Sequence, residues 1–199
     1  MVATQSSTRR RPALERVLRA ADRLFYANGI HATGVDTIAE AANVSKASMY
    51  TYFRTKDDLV GAYLDGRSRD WREHVLRSLA DKPGEEERSP VDKALLVFDL
   101  LGEWFRSDGF HGCPFINAEA ESSPTSPAHL ANVHHRAWIR GLFAELATAA
   151  GVADPHPVSL QLAMLYDGAM VGAHTEPDLP WAAQARAAAG SLLRSAGAT

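Results

Sequence analysis

The sequence predicts an all-α protein in two parts, and three observations carry that prediction. Apolar residues recur at three- and four-residue spacing through nearly all of the 199-residue chain. No stretch alternates apolar and polar residues as a half-buried strand would. The periodic stretches are separated by glycine, proline and capping residues.

Each element follows in chain order. In PALERVLRAADRLFYANG the residues Leu14, Val17, Leu18, Ala21, Leu24 and Phe25 share one helix side, and Asn28–Gly29 ends the helix. Thr33 is the expected N-cap of a second, short helix, with Asp36 favouring its positive N-terminal end. Ile38, Ala39 and Ala42 form its apolar face, and Asn43 breaks it. Ser45 is placed to cap a third helix whose inner side is Met49 and Phe53, completing a small core with Leu24, Phe25, Ile38 and Val44. Thr55 is the expected cap of a longer helix from about Lys56 to Ala80. The charged, proline- and glycine-bearing stretch DKPGEEERSP, Asp81 to Pro90, reads as a linker. Helical patterns then recur at 91–106, 114–122, 127–150, 156–174 and 179–196.

Composition is that of an ordinary globular chain, 46% hydrophobic and 23% charged. The longest uncharged apolar stretch, Pro155 to Tyr166, stops at Asp167, short of the roughly 18 residues a membrane span needs. The first residues lack the apolar run of a secretory signal. A single cysteine, Cys113, excludes an intrachain disulfide and fits a reducing, cytoplasmic setting. The net charge of −3 conceals an asymmetry: residues 1–56 hold nine Lys/Arg against four Asp/Glu, and the remainder is strongly acidic. Such a basic end suits a polyanion partner, and equally a solvated helix face.

The stretch VSKASMYTYF, Val44 to Phe53, bears on that choice. Two short helices joined by Asn43-Val44-Ser45 have the dimensions of a helix-turn-helix, whose second helix enters the DNA major groove. Met49 and Phe53 point inward on this reading, while Lys46, Ala47, Tyr50 and Thr51 point outward. A lysine there reaches a guanine edge or a phosphate, and a tyrosine bonds phosphate while covering a thymine methyl. Lys56 stands at the next helix start, where free N–H groups also attract phosphate.

The run VLRAADRLFYANGIHATGVDTIAEAANVSKASMYTYFRTKDDLVGAYL resembles the DNA-binding domain of the TetR family of bacterial transcriptional regulators. The matching residues are Ala20-Ala21 with Leu24-Phe25, Gly29, Thr33 with Ile38-Ala39, and Val44-Ser45-Lys46-x-Ser48-x-Tyr50-x-Tyr52-Phe53 followed by Lys56 and Leu59. The resemblance implies that Thr33, Ser45, Lys46, Ala47, Ser48, Tyr50, Thr51, Tyr52 and Lys56 face DNA. Ala47 departs from the glycine that relatives often carry; its methyl would limit backbone approach or touch a thymine methyl. The implied division is a helix-turn-helix domain at residues 9–56 and an effector-binding and dimerisation domain at 57–199. It further implies a homodimer on a pseudo-palindromic operator, most often a repressor, released by an unidentified small-molecule effector. No cofactor, metal or membrane partner is expected.

In the second part, Gly168, Ala169, Gly172 and Ala173 form a small-residue stripe, with Leu192 beyond it, expected to meet a second copy. An intrachain helix contact is the alternative. Expected pocket residues are Trp104, Phe105, Phe110, Phe115, Trp138 and Met164, with Asn117, His135 and Asp167 as polar points. Cys113 precedes Pro114 at a predicted helix start, where a thiol is either a redox group or plain packing. No metal-ligand cluster, phosphate loop or nucleophile elbow occurs, which weighs against an enzyme. An organised recognition helix, rather than a bare basic run, weighs against an adaptor for acidic partners.

Overall fold

A computed structural model describes residues 4–80 and 87–199, with side chains from Pro12 onward. The side chains of Arg9, Arg10 and Arg11 and the Asp81–Glu86 part of the expected linker lie outside the described residues. Among the described residues there are nine helices and no strand, an all-α fold. They are α1 (Thr4–Asn28), α2 (Val35–Ala41), α3 (Lys46–Tyr50), α4 (Lys56–Leu79), α5 (Pro90–Phe105), α6 (Pro114–Glu119), α7 (Pro127–Ala149), α8 (Pro155–Thr175) and α9 (Trp181–Ser195).

Local chemistry explains most boundaries. Gly29, at φ 86°, closes α1 with its N–H on the Phe25 carbonyl. Asn43 takes φ 51° between α2 and α3, a left-handed turn that asparagine tolerates better than most residues. Ser45 caps α3 by accepting from the Ser48 N–H at 3.1 Å. Thr55 and Asp58 cap α4 reciprocally, each side chain accepting the other's backbone N–H at 3.0 Å. Thr33 does not cap α2. Gly34 occupies that position, and the Thr33 hydroxyl instead donates back to Gly29 O at 2.7 Å, tying down the turn that ends α1.

The described residues within Met1–Ser68 and Pro114–Val133 form one compact unit, and those within Arg69–Cys113 and His134–Thr199 another. The first unit runs past residue 56 and recruits α6 and the start of α7 from far along the chain. Its core holds Val17, Phe25, Ile38, Met49, Leu59 and Tyr63, while Leu24, Val44 and Phe53 are half-buried at its edge. Phe25 and Tyr63 meet at 5.6 Å between ring centroids, and Arg67 lies over Tyr26 at 3.9 Å while pairing with Asp22. Pro127 sits so tightly on Gly61 that a Cβ there would stand 2.6 Å from it.

In the second unit α5, α8 and α9 pack together. Phe98 stacks on Phe143 at 5.7 Å, and Phe143 meets Tyr166 edge-on at 6.4 Å. Arg186 pairs with Asp99 at 3.0 Å, and the Trp181 ring lies flat against Gly172.

Candidate DNA-binding surface and the second helical unit

α3 separates its residues by face. Met49 is buried in the core, whereas Lys46, Ala47, Tyr50 and Thr51 are exposed and Ser48 and Tyr52 are half-buried. Tyr50 keeps 47% of its surface exposed although it is a large ring on a short helix. The Ser45 and Ser48 hydroxyls meet each other at 2.9 Å, and Thr51 donates to Ser48 O at 2.6 Å.

Two of the nine expected DNA-facing side chains are engaged elsewhere. Thr33 is 3% exposed, and its hydroxyl bonds Gly29 and Leu24 carbonyls, so its side chain is an internal strut. Lys56 donates its ammonium to Ile30 O at 2.5 Å, which pins the turn after α1 to the start of α4. Lys46 is also held, by Asp36 at 2.8 Å, but both of these side chains are largely exposed. The hydrogen bond and charge of Asp36 raise the Lys46 pKa above its ordinary value. Sequence reasoning noticed Asp36 only as a helix-end acid. The signal for the pair was nonlocal: two helices must cross before residues ten apart can meet. Arg16, within the basic end, caps α2 by donating to Ala42 O at 3.0 Å.

The α1–α2 turn has a further partner within the first unit. The His31 N–H donates to Glu121 Oε2 at 2.9 Å, and the His31 ring contacts the same carboxylate. Glu119 in turn receives His129 at 2.7 Å and Asn132 at 2.8 Å.

The expected pocket residues divide between the units. Phe115 and Asn117 belong to the first, with Phe115 buried and Asn117 exposed. Met164 is 71% exposed on the outer side of α8, so it lines no interior. Trp104, Phe105 and Phe110 do come together in the second unit, with Phe110 at 5.4 Å from Trp104 and 5.0 Å from Phe105. Trp71, which has no local signal of a binding role in the sequence, joins them at 5.5 Å from Trp104. Trp138 lies 6.2 Å from His135 and beneath Arg72 at 5.2 Å. His135 is 4% exposed; burial, then the charges of Arg72 and Arg136, lower its pKa to about 3 and keep it neutral. Asp167 is bound to Arg136 at 2.5 Å.

The small-residue stripe is also corrected. Ala169, Gly172 and Ala173 are buried within their own chain, and a Cβ at Gly172 would stand 2.3 Å from Trp181. Gly168 alone of the four opens outward, with nothing near its Cβ position, and Leu192 is half-buried. Four residues advance a helix about 40° beyond a full turn, which carries position 172 from the outer face into the α8–α9 seam. The outward face of α8 is instead Leu160, Met164, Gly168 and Val171.

Residues 17–63 match the family model for bacterial regulatory proteins of the tetR family. A helix-turn-helix-type transcriptional regulator of Mycobacterium tuberculosis, Rv1255c, itself uncharacterised, is 34% identical over 105 residues, 50% of this chain and 52% of that protein. The chain thus spans about half the length of the curated relatives it matches. The solved structure of SCO4454, a TetR-family transcriptional regulator from Streptomyces coelicolor, superposes with a TM-score of 0.82 at 34% identity, covering 93% of this chain and 96% of that one. That of sav143 from Streptomyces avermitilis gives 0.75 at 30% identity, covering 94% and 99%. With a full-length relative at that identity and a matching helix-turn-helix, the chain belongs to the TetR family of bacterial transcriptional regulators, DNA-binding proteins rather than enzymes.

Proposed function

We propose that this protein is a ligand-responsive repressor that binds a pseudo-palindromic operator as a homodimer and is released by a small-molecule effector. The observation that carries the reading is the outward face of α3, where Lys46, Ala47, Tyr50 and Thr51 stand exposed over a buried Met49. Such a helix presents few side chains, too little for selective binding among a genome of competing sites. Two copies about a two-fold axis supply the missing contacts and make the operator palindromic.

The functional division is residues 9–56 for DNA and 57–199 for effector and dimerisation. Ser45, Lys46, Ala47, Ser48, Tyr50, Thr51 and Tyr52 are the proposed contacts, with Thr33 and Lys56 shaping the surface from behind. The dimer face is the α8 stripe Leu160, Met164, Gly168 and Val171, which leaves apolar side chains in water in a single copy. The Trp71–Trp104–Phe110 cluster is the proposed effector region. Among the described residues no helix is long and apolar enough to cross a membrane, and we place the protein in the cytoplasm.

A gel-shift titration with DNA flanking the gene, followed by footprinting, tests the reading. It expects a salt-sensitive, sequence-selective complex protecting two symmetric half-sites. Equal affinity for flanking and random DNA would sink it.

A further inference from the structure

We propose that the second unit binds a flat, uncharged aromatic ketone, whose carbonyl oxygen accepts hydrogen bonds from the Tyr166 hydroxyl and the Trp71 indole N–H. The proposal rests on the effector reading and gives that effector a chemical class.

Two polar atoms begin the argument. The Tyr166 side chain is 3% exposed, and its hydroxyl has no hydrogen-bond partner in the protein. The Trp71 Nε1 is likewise shut off from solvent and unanswered. Buried polar groups in native proteins are nearly always paired, and an orphan costs more than an ordinary hydrogen bond contributes. Both orphans are donors. The indole comes near enough to the phenolic oxygen to favour its ionised form slightly, but burial dominates and pushes the hydroxyl well above its ordinary value. Tyr166 therefore holds its proton throughout the physiological range. Even were the indole to donate to the phenolic oxygen, the phenolic proton would still lack an acceptor. The missing group is an acceptor, and a carbonyl oxygen has two lone pairs to offer two donors.

The surrounding side chains set the rest of the ligand. Trp71, Trp104, Phe105 and Phe110 are only half-buried in the complete chain, so part of their ring surface stays uncovered in the unit that holds the orphan donors. Trp71 and Trp104 lie 5.5 Å apart and inclined at 37°, and Phe110 meets Trp104 edge-on. Flat rings are favoured by stacking and edge contacts on such surfaces. Charge is unwelcome. After burial, Cys113 and then Asp167 are the ionisable groups felt at the Tyr166 oxygen, and the sign of both discourages an anion. The Asp167 charge is answered by Arg136 and does not call for a cation.

The test uses the full-length protein with two matched pairs: 9-fluorenone against fluorene, and 2-acetonaphthone against 2-ethylnaphthalene. Isothermal titration calorimetry should show a ketone binding about a hundredfold more tightly than its hydrocarbon, about tenfold for each of the two hydrogen bonds. In Tyr166→Phe that preference should fall about tenfold, the Trp71 N–H remaining, while hydrocarbon affinity stays within about twofold, as expected when only a hydroxyl is removed. If neither ketone is preferred in the unaltered protein, a trapped water answers both donors and the proposal is wrong. A preference undiminished in Tyr166→Phe overturns it equally. A gel shift separates this from the effector reading. Operator release by other compounds, with no ketone preference, defeats this proposal alone. Preferred ketone binding that leaves the operator complex intact supports the site and defeats the effector reading.

Discussion

Asp36→Asn should tighten DNA binding, because the free protein holds Lys46 in an ion pair that DNA must otherwise break. The Lys46 ammonium lies 2.8 Å and 3.0 Å from the two Asp36 oxygens, on the exposed side of α2 and α3. Removing the carboxylate's charge releases the lysine and takes a negative charge off the face offered to phosphate. One additional phosphate neutralised steepens the slope of log affinity against log salt by about 0.9. Carried from 1 M to 0.1 M salt, that slope amounts to about an eightfold gain per subunit, with the exponent doubled when two subunits engage. The gain should appear on operator and on random DNA alike if Lys46 meets phosphate. It should appear as sharper discrimination, with an unchanged slope, if the lysine reads a base edge. The assay is a salt series of fluorescence-anisotropy titrations on both DNAs, with circular dichroism to check that α2 survives loss of its N-terminal acid. Unchanged affinity and unchanged slope on both DNAs would show that the pair is not on the DNA-facing surface.

Three further outcomes follow from the second unit. His135 has a folded pKa of about 3 against 6.5 when unfolded, so between those values the unfolded chain binds the extra proton and stability falls as pH falls. At about 1.4 kcal/mol per pH unit, His135 removes about 2 kcal/mol between pH 6.5 and pH 5; urea unfolding should show that loss shrinking in His135→Gln, and an identical loss in the variant would contradict it. Met164→Glu should leave the monomer's stability within about 0.5 kcal/mol, because the side chain is exposed. It should weaken dimerisation about a hundredfold in sedimentation velocity, since like charges then face each other across the two-fold. Gly172→Leu should instead lower stability itself by about 1–3 kcal/mol, through overpacking against Trp181. A Gly172→Leu variant with parental stability, or a Met164→Glu variant that still dimerises fully, would reverse the assignment of these two faces.

The helix-turn-helix was legible because its information is local. The Ser45 cap, the Asn43 turn, the Gly29 stop and the Thr55–Asp58 capping pair all lie within four residues of what they organise. The inward turn of Met49 against the outward Tyr50 follows from helix geometry alone. Thr33 departs from cap chemistry at this same short range. A threonine before a helix is a good cap, but glycine at the next position took the role and freed the hydroxyl to bond backward. Cap chemistry names the residue types that suit a boundary and leaves a one-residue choice to the surrounding packing.

The effector and dimer faces were harder to read because each depends on which distant side chain arrives. A glycine on a helix marks a close approach, but the sequence does not say whether the approaching element belongs to the same chain or to a copy. At Gly172 it is Trp181, nine residues on, folded back by the turn after α8, so the seam is internal. At Gly168 nothing approaches, and the exposed Leu160, Met164 and Val171 flank it. The same periodicity therefore contains two faces, and about 40° of helix rotation separates them. Trp71 illustrates the converse. It sits in α4 among charged residues, with no local sign of a binding role, until α5 brings Trp104 alongside and α8 brings Tyr166. Aromatic residues spread over three helices become one surface only through tertiary packing, and the chemistry there is set by which polar atoms that packing leaves unanswered. Periodicity could nominate the rings, but only the packed arrangement could nominate the two donors.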